Sequence, residues 1–237
     1  MADLKTRLIQ LLDLAQSFRQ QLLADFSSAE DKCSGTWEQW SLKDEVAHVI
    51  AWQANALARM AALVHHETPP DFGEYERINR AVFDTQRDRS LADVVADGDR
   101  AYAELVALIR SLPAGDLAQP ARFSDQERRS LAEQIIGNGY EHPVWHYSSF
   151  YVRHGDLAKA TQLQQASVDA VADWPEQYGM ARYNLACFYA LSGQTELALS
   201  ELREALQLRP SLIEWSKQDT DLESLRAEPA YQALYQS

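Results

Sequence analysis

Apolar residues recur at every third or fourth position in long stretches of this chain, and no other feature of the sequence constrains the fold as strongly. A period near 3.6 residues places such positions on one face of an α-helix. The first stretch predicts a helix over residues 2–26. Its apolar positions are Leu4, Leu8, Leu11, Leu12, Ala15, Phe18, Leu22 and Leu23.

Three more helices of this kind begin after serines that can act as N-caps. Ser41 precedes a second helix that extends to about residue 64, and Ser90 a third that ends at the LPAGD turn. Ser130 precedes a fourth, in which Pro143 either introduces a kink or marks a fresh start, because proline lacks a backbone donor. EYERINRAVFDTQ predicts a shorter helix or lid. The fold class predicted is all-α, with a four-helix up-down bundle over residues 1–153.

The remainder of the chain contains an internal repeat. YSSFYVRHGD at 147–156 and LACFYALSGQ at 185–194 match with a displacement of 38 residues. This self-similarity indicates a helix-pair repeat. We therefore predict helical repeats and C-terminal capping helices over residues 141–237, with the helix at 141–153 shared by both domains. No Gly/Ser/Pro-rich linker intervenes, so we expect the two domains to move as one body.

The second copy of the repeat resembles a tetratricopeptide repeat. The residues at that motif's spaced positions are Leu185, Ala186, Tyr189, Gly193, Ala198, Leu202, Ala205 and Pro210. Arg182 and Ala186 replace the usual tryptophan and glycine. The resemblance implies a small groove that binds a short peptide or a second copy of this chain.

Composition and charge exclude several classes of function. Apolar residues make up 46% and charged residues 24% of the chain, values typical of a globular protein. The apolar runs are too short to span a membrane, and the N-terminus lacks the apolar core of a signal peptide. A net charge of −13 disfavours binding to nucleic acid or to anionic membranes. Cys33 and Cys187 are far apart in sequence, which favours a reducing, cytoplasmic location.

Three histidines are the candidate metal ligands. His142 and His146 are four residues apart, so on a continuous helix they share a face. His48 lies in the middle of the second helix, among apolar residues. If the second and fourth helices are neighbours, three neutral imidazoles converge and leave coordination positions open, as in catalytic sites. The alternative is that these are half-buried structural histidines at a helix junction.

Three stretches, TWEQWSLKDEVAHVIAW, NRAVFDTQRDRSLADVV and HPVWH, together resemble the DinB/YfiT-like superfamily, and the first two particularly resemble its ClbS/DfsB branch. The resemblance covers residues 1–153 and implies a four-helix bundle that binds a divalent metal through one histidine on helix two and an HxxxH on helix four. His48, His142 and His146 match those positions. It also implies Zn, Ni, Fe or Mn as the ion. The activities it implies are a thiol-dependent transferase, which would use a thiol cosubstrate, or a detoxifying hydrolase.

Three further residues could support such a site. Asp44 lies one turn before His48 and either orients that imidazole or interacts with the helix dipole. Glu141 is adjacent to His142, but HPVWH lacks the glutamate of HExxH, which excludes that zinc-peptidase pattern. Trp52 either lines a pocket or fills the core.

The sequence therefore leaves two hypotheses for the function. The first is a metal-dependent enzyme that acts on a small-molecule substrate. The second is a non-catalytic interaction protein in which the repeats bind a short peptide or form a homodimer, and the histidines are structural. Metal analysis of the purified protein discriminates between them.

Overall fold

The computed structural model describes residues 3–26, 28, 32–122 and 128–236, with backbone only for residues 122 and 128. It is an all-α structure, and it divides into two compact units, Met1–Phe150 and Tyr151–Ser237. Among the described residues, seven helices begin in the first unit. They are α1 (Leu4–Asp25), α2 (Leu42–Val64), α3 (Tyr75–Gln86), α4 (Leu91–Ser111), α5 (Ala114–Ala118), α6 (Leu131–Ile136) and α7 (His142–Arg153).

The predicted serine caps are confirmed at all three positions. The side-chain oxygens of Ser41, Ser90 and Ser130 accept hydrogen bonds from backbone N–H groups three residues later. The carboxylates of Asp44 and Glu133 in turn accept hydrogen bonds from the backbone N–H groups of Ser41 and Ser130, which completes two capping boxes. Caps of this kind fix where each helix starts, and with it the direction in which its first turns present side chains.

The fourth predicted helix is interrupted by one turn of π-helix over Gly137–Glu141, between α6 and α7. The N–H of His142 donates to the carbonyl of Gly137, five residues earlier. Pro143 follows as the second residue of α7 and would have no N–H to offer a regular ladder. The wider turn accommodates the proline, and a regular helix continues from His142 to Arg153.

The segment between α5 and α6 contains a short antiparallel strand pair, β1 (Pro120–Arg122) and β2 (Arg128–Ser130), with Pro120 opposite Ser130. The polar sequence of this segment gave no alternating pattern from which strands could be predicted. The pair leads directly to the cap of α6, and so sets where that helix begins.

The core of the first unit lies between α1, α2, α4 and the α6–α7 region. In this unit α2 packs against α3 and α4, and α1 against α4 and the π-helical turn. Burying a leucine- or isoleucine-sized side chain contributes about 1.5–3 kcal/mol, so these contacts account for the bundle's stability. None of the helices among the described residues is both long and apolar enough to cross a bilayer. The fully buried side chains include Leu8, Leu22, Leu42, Val46, Met60, Leu105, Ile109 and Phe150.

The second unit consists of α8 (Leu157–Asp169), α9 (Pro175–Leu191), α10 (Thr195–Leu208), α11 (Ile213–Ser216) and α12 (Pro229–Ala233). Short 3-10 turns at Pro210–Leu212 and Thr220–Leu225 separate the last of these. Its longest pair, α9 and α10, packs together along its length. The boundary between the two units falls inside α7, between Phe150 and Tyr151.

The internal repeat has a counterpart in the backbone. The N–H of Asp156 donates to the carbonyl of Tyr151 at 2.9 Å, and that of Gln194 to Tyr189 at 2.8 Å. Gly155 and Gly193, each immediately before one of these donors, have φ of 81° and 74°, a left-handed conformation that favours glycine. Two helix ends and the turns that follow them therefore share one geometry, displaced by the period seen in the sequence.

Candidate metal centre

The structure brings His48, on α2, together with His142 and His146, on α7. One ring nitrogen from each lies within 4.8 Å of the other two. The ring centroids of His142 and His146 are 4.4 Å apart, and that of His48 lies 5.0 Å from the first and 4.4 Å from the second. Two separate helices thus direct three imidazoles to one point.

Pro143 does not disturb the spacing of the HxxxH pair. The π-helical turn ends at Glu141, so both histidines lie in the regular helix that follows. Positions four apart in such a helix lie on one face, one turn above the other. Because the irregular turn precedes both histidines, it orients them as a pair.

The Nε2 atoms of His48 and His142 face each other at 3.1 Å. Their Nδ1 atoms are buried and have no hydrogen-bond partner among the residues that the structure describes. A single hydrogen shared between the two Nε2 atoms leaves one Nδ1–H and one Nδ1 lone pair unsatisfied in the interior, which is costly. Two imidazole nitrogens bound tetrahedrally to one zinc ion lie about 3.3 Å apart. The donor set and its spacing therefore fit a divalent ion.

His146 is oriented by a buried carboxylate. Its Nδ1 lies 2.5 Å from Oε1 of Glu45, whose side chain is only 2% exposed. Since a carboxylate oxygen accepts, Nδ1 carries the hydrogen, and in the neutral imidazole Nε2 is then the nitrogen that presents a lone pair to the cluster. Carboxylates that accept from the far nitrogen of a ligating histidine are a regular feature of metal sites.

Burial keeps the imidazoles at the centre of the cluster neutral. The pKa of His48 is lowered to about 3, chiefly by desolvation and then by nearby His146, while Glu45 opposes the change. Desolvation, followed by His146 and His48, also lowers the pKa of His142 well below its ordinary value. A neutral imidazole is the form that binds a metal ion.

Asp44 makes the contacts of one of the two roles that the sequence left open for it. Its Oδ2 accepts from the N–H of Gly35 at 2.6 Å and from the backbone and hydroxyl of Ser41 at 3.0 and 2.9 Å. Within the described part of the chain, Nδ1 of His48 has no hydrogen bond, so Asp44 does not orient it. The first turn of α2 holds this carboxylate at the helix N-terminus, which is the alternative that the sequence left open.

Glu141 is the last residue of the π-helical turn, directly before His142. It is half-buried, and it makes no hydrogen bond to Nδ1 of His142, which is unpaired among the described residues. Its suggested supporting role stays a prediction. Glu45, one residue after Asp44, makes the kind of contact with a candidate ligand that was expected of these two carboxylates.

A cavity of about 1190 Å³ opens over the histidine cluster, and all three imidazoles line it. Trp52 belongs to its wall, as one of the two sequence interpretations expected, and its Nε1 donates to Oδ1 of Asn79 at 2.9 Å. Trp40 lies beside the cluster, with its ring centroid 5.0 Å from that of His48. Further lining comes from the segment 66–73, from α3 and from the π-helical turn.

Sequence reasoning missed two members of the site, Glu45 and Trp40. Glu45 is three residues before His48 on the same helix, but its partner is on α7, and no periodicity within α2 indicates a contact with another helix. A buried charge needs a partner, so a glutamate flanked by buried positions would have been the only available signal.

Together, the helical bundle and the histidine cluster define a class of protein in which two long helices supply three imidazoles to a candidate metal site beneath a cavity. The DinB superfamily model matches residues 8–154, which is more than half of the chain. The chain therefore belongs to the DinB superfamily. No curated protein matches the sequence significantly.

Three solved structures are similar to this chain. An uncharacterised protein of Clostridium difficile 630 is 14% identical, with 58% of this chain and 89% of that chain covered and a TM-score of 0.49. One of Escherichia coli UTI89 is 17% identical, covering 68% and 95%, also at a TM-score of 0.49. A Streptococcus pneumoniae protein is 14% identical, covering 65% and 89%, at 0.48.

Proposed function

We propose that this protein is a divalent-metal-dependent DinB-like enzyme whose ion is held by His48, His142 and His146. The observation that carries the proposal is the convergence of three ring nitrogens within 4.8 Å at the base of a large cavity. Three protein ligands leave further coordination positions for water or substrate, which is the arrangement of catalytic rather than structural sites.

Different residues of the chain have different roles in such a site. His48 and His142 present neutral nitrogens because burial lowers their pKa. Glu45 fixes the tautomer of His146 through its Nδ1–H. The cavity that all three imidazoles line offers a substrate space beside the cluster. When bound, the ion supplies Lewis acidity toward a water or a thiol.

The proposal includes the finer features that the sequence indicates. Imidazole donors suit Zn, Ni or Fe and accept Mn, so the donor set favours no single ion strongly. The reaction proposed is a transfer to a thiol cosubstrate or a hydrolysis of the detoxification type, as in the ClbS/DfsB-like branch. We also propose a cytoplasmic location, which the two free cysteines support.

Metal content is the decisive measurement. Purified protein is loaded separately with Zn²⁺, Ni²⁺, Mn²⁺ and Fe²⁺, desalted, and analysed for metal per chain. We expect about one ion per chain for at least one metal, and a loss of most of that ion in His48→Ala. Circular dichroism checks that the variant remains helical.

His65→Ala is the matched control, because His65 lies at the C-terminal end of the same helix and does not line the cavity. It should bind as much metal as the unaltered protein. If no metal is retained by the unaltered protein, or if both variants lose it equally, the metalloenzyme proposal is wrong.

For the second unit we propose a tetratricopeptide-like fold that binds a short peptide or a second copy of the chain. The supporting observation is the repeated backbone geometry at Gly155 and Gly193. This is also the basis of the alternative function, a non-catalytic interaction module. Size-exclusion chromatography with light scattering tests self-association. A strictly monomeric protein would exclude a second copy of the chain and leave a short peptide as the proposed ligand.

A further inference from the structure

Two observations about the cavity bear on the substrate of the proposed enzyme. One is the aromatic character of the wall that α2 and α3 form. The other is a glycine in the π-helical turn that packing does not explain. We propose that the cavity binds a substrate with a planar aromatic group, which stacks against Trp52 and Tyr75 and passes over Gly137. This inference rests on the metal-dependent function proposed above.

The aromatic wall continues from the histidine cluster to the mouth of the cavity. The ring centroid of Trp52 lies 6.3 Å from that of His48 and 5.3 Å from that of Tyr75. Tyr75 is 74% exposed although it belongs to the cavity lining. A large exposed aromatic ring beside a cavity offers a face for stacking.

This wall is held in place before any ligand binds. Asn79 on α3 accepts a hydrogen bond from Trp52 Nε1 and so fixes the indole. Lys43, which is 1% exposed, donates to the carbonyls of Gln86, Arg87 and Arg89 at 3.0, 2.9 and 2.8 Å, at the C-terminal end of α3. A wall fixed in this way loses little conformational entropy when a ligand binds.

Gly137 faces the cavity from the other helical region. It has a right-handed helical conformation (φ −60°, ψ −55°) that any residue can adopt, and glycine is costly there. The buried helical glycines of the first unit have packing reasons, since a methyl group at Gly98 would clash with Arg19 and Ile50, and one at Gly139 with Leu12. At Gly137 a methyl group would meet no described atom within 4 Å, and the residue lines the cavity.

A methyl group at this position would therefore extend into open space at the cavity lining. The carbonyl of Gly137 accepts from the N–H of His142, so that space lies one turn from a candidate ligand. A backbone without a side chain so close to the cluster leaves room for the edge or face of a planar ligand group. The stability lost by having glycine in a helix is then explained by the room it leaves for the substrate.

Binding of two hydroxamates to the zinc-loaded protein tests the inference by calorimetry. Acetohydroxamate carries the metal-binding group alone, and 2-naphthohydroxamate adds a planar aromatic group. We expect the naphthyl compound to bind at least about tenfold more tightly. Tyr75→Ala, a change at an exposed position, and Trp52→Ala should each reduce that advantage.

Gly137→Ala should weaken binding of the naphthyl compound by a factor on the order of ten, because the methyl group would occupy space that the planar group needs over this turn. Its zinc content should stay unchanged, and its unfolding temperature should not fall, since alanine favours a helix. Gly115→Ala is the matched control. Gly115 is helical, a methyl group there would also meet no described atom, and it lies away from the cavity. It should leave both affinities unchanged.

The same titrations on chelator-treated protein separate this inference from the metal proposal. If zinc is not retained but the naphthyl preference persists and depends on Tyr75 and Gly137, the metal function fails and the aromatic cavity stands. If zinc is retained but both hydroxamates bind equally, or if Gly137→Ala binds the naphthyl compound as well as the unaltered protein does, the aromatic-substrate inference is overturned.

Discussion

Lys43, Asp44 and Glu45 are three consecutive charged residues, each no more than 5% exposed. Buried charges are tolerated only with partners, and each of these has a different one. Lys43 donates to carbonyls at the C-terminal end of α3, Asp44 completes the cap of α2, and Glu45 accepts from His146. The first turn of α2 thus holds α3 at the cavity wall, caps its own helix and orients a candidate ligand.

Replacing Glu45 should weaken metal binding without removing a ligand. In Glu45→Ala we expect the affinity for zinc to fall about tenfold to a hundredfold, because His146 loses the acceptor that fixes its tautomer and orientation. Glu45→Gln keeps an acceptor oxygen without the charge and should recover part of the loss. Competition with a chelating dye measures these affinities, and the absorption spectrum of the cobalt-loaded protein reports ligand geometry.

Asp44→Asn is the control for this experiment, since it changes the neighbouring buried carboxylate. It should lower stability, because a capping interaction is weakened, but leave the zinc affinity unchanged. A Glu45→Ala variant with unaltered affinity, or an Asp44→Asn variant that loses as much, would show that Glu45 does not position His146.

The lowered pKa of His48 predicts a pH dependence of stability in the metal-free protein. Between its unfolded value near 6.5 and its folded value of about 3, the unfolded state holds a proton that the folded state lacks. Stability should therefore be lost as the pH falls below about 6.5, by up to about 1.4 kcal/mol per pH unit for this group. Urea unfolding at several pH values from 7 to 5, in the presence of a chelator, measures the slope.

His48→Gln provides the comparison, because glutamine does not titrate. Its stability should decline less steeply over the same pH range than that of the unaltered protein, since one proton fewer is taken up on unfolding. Equal slopes for the two proteins would mean that His48 is already protonated in the folded state over that range, or that its pKa is not lowered.

At the residue scale the sequence indicated the candidate ligands but not the residue that supports them. His48 stood out as a polar residue on an apolar stretch, and His142 and His146 as a helical pair. Both signals are local. The hydrogen bond between Glu45 and His146 joins residues 101 positions apart, and its formation depends on how two helices pack, which no local pattern encodes.

At the element scale, helix starts were predictable because their chemistry is local. A serine and an acidic residue three positions later determine the capping boxes at Ser41 and Ser130. The first helix, expected over residues 2–26, is Leu4–Asp25 among the described residues, a difference typical of fraying ends.

The π-helical turn before Pro143 was not predictable to the same degree. Proline in a helix can produce a kink, a break or a locally widened turn, and the surrounding packing selects among them. Here Gly139 is buried against Leu12 of α1, which brings the backbone of the turn close to that helix. The strand pair β1–β2 was missed for a related reason, since three-residue strands carry no detectable period.

At the scale of the whole molecule, one helix carries residues of both units. α7 contains His142 and His146 of the first unit and continues through Tyr151 to Arg153, which belong to the second. The sequence predicts that this helix is shared and that the two units unfold together. Calorimetry of the full chain tests that prediction.

A ligand that binds only the folded state raises the free energy of unfolding by about 2.7 kcal/mol at a hundred times its dissociation constant. If α7 couples the units, the full chain should show one thermal transition, and zinc should move all of it to higher temperature. His48→Ala should show the same single transition without the shift, and His65→Ala should behave like the unaltered chain. Two transitions, of which zinc moves only one, would instead mean that the units unfold independently and that α7 does not transmit the stabilisation across the boundary at Phe150 and Tyr151.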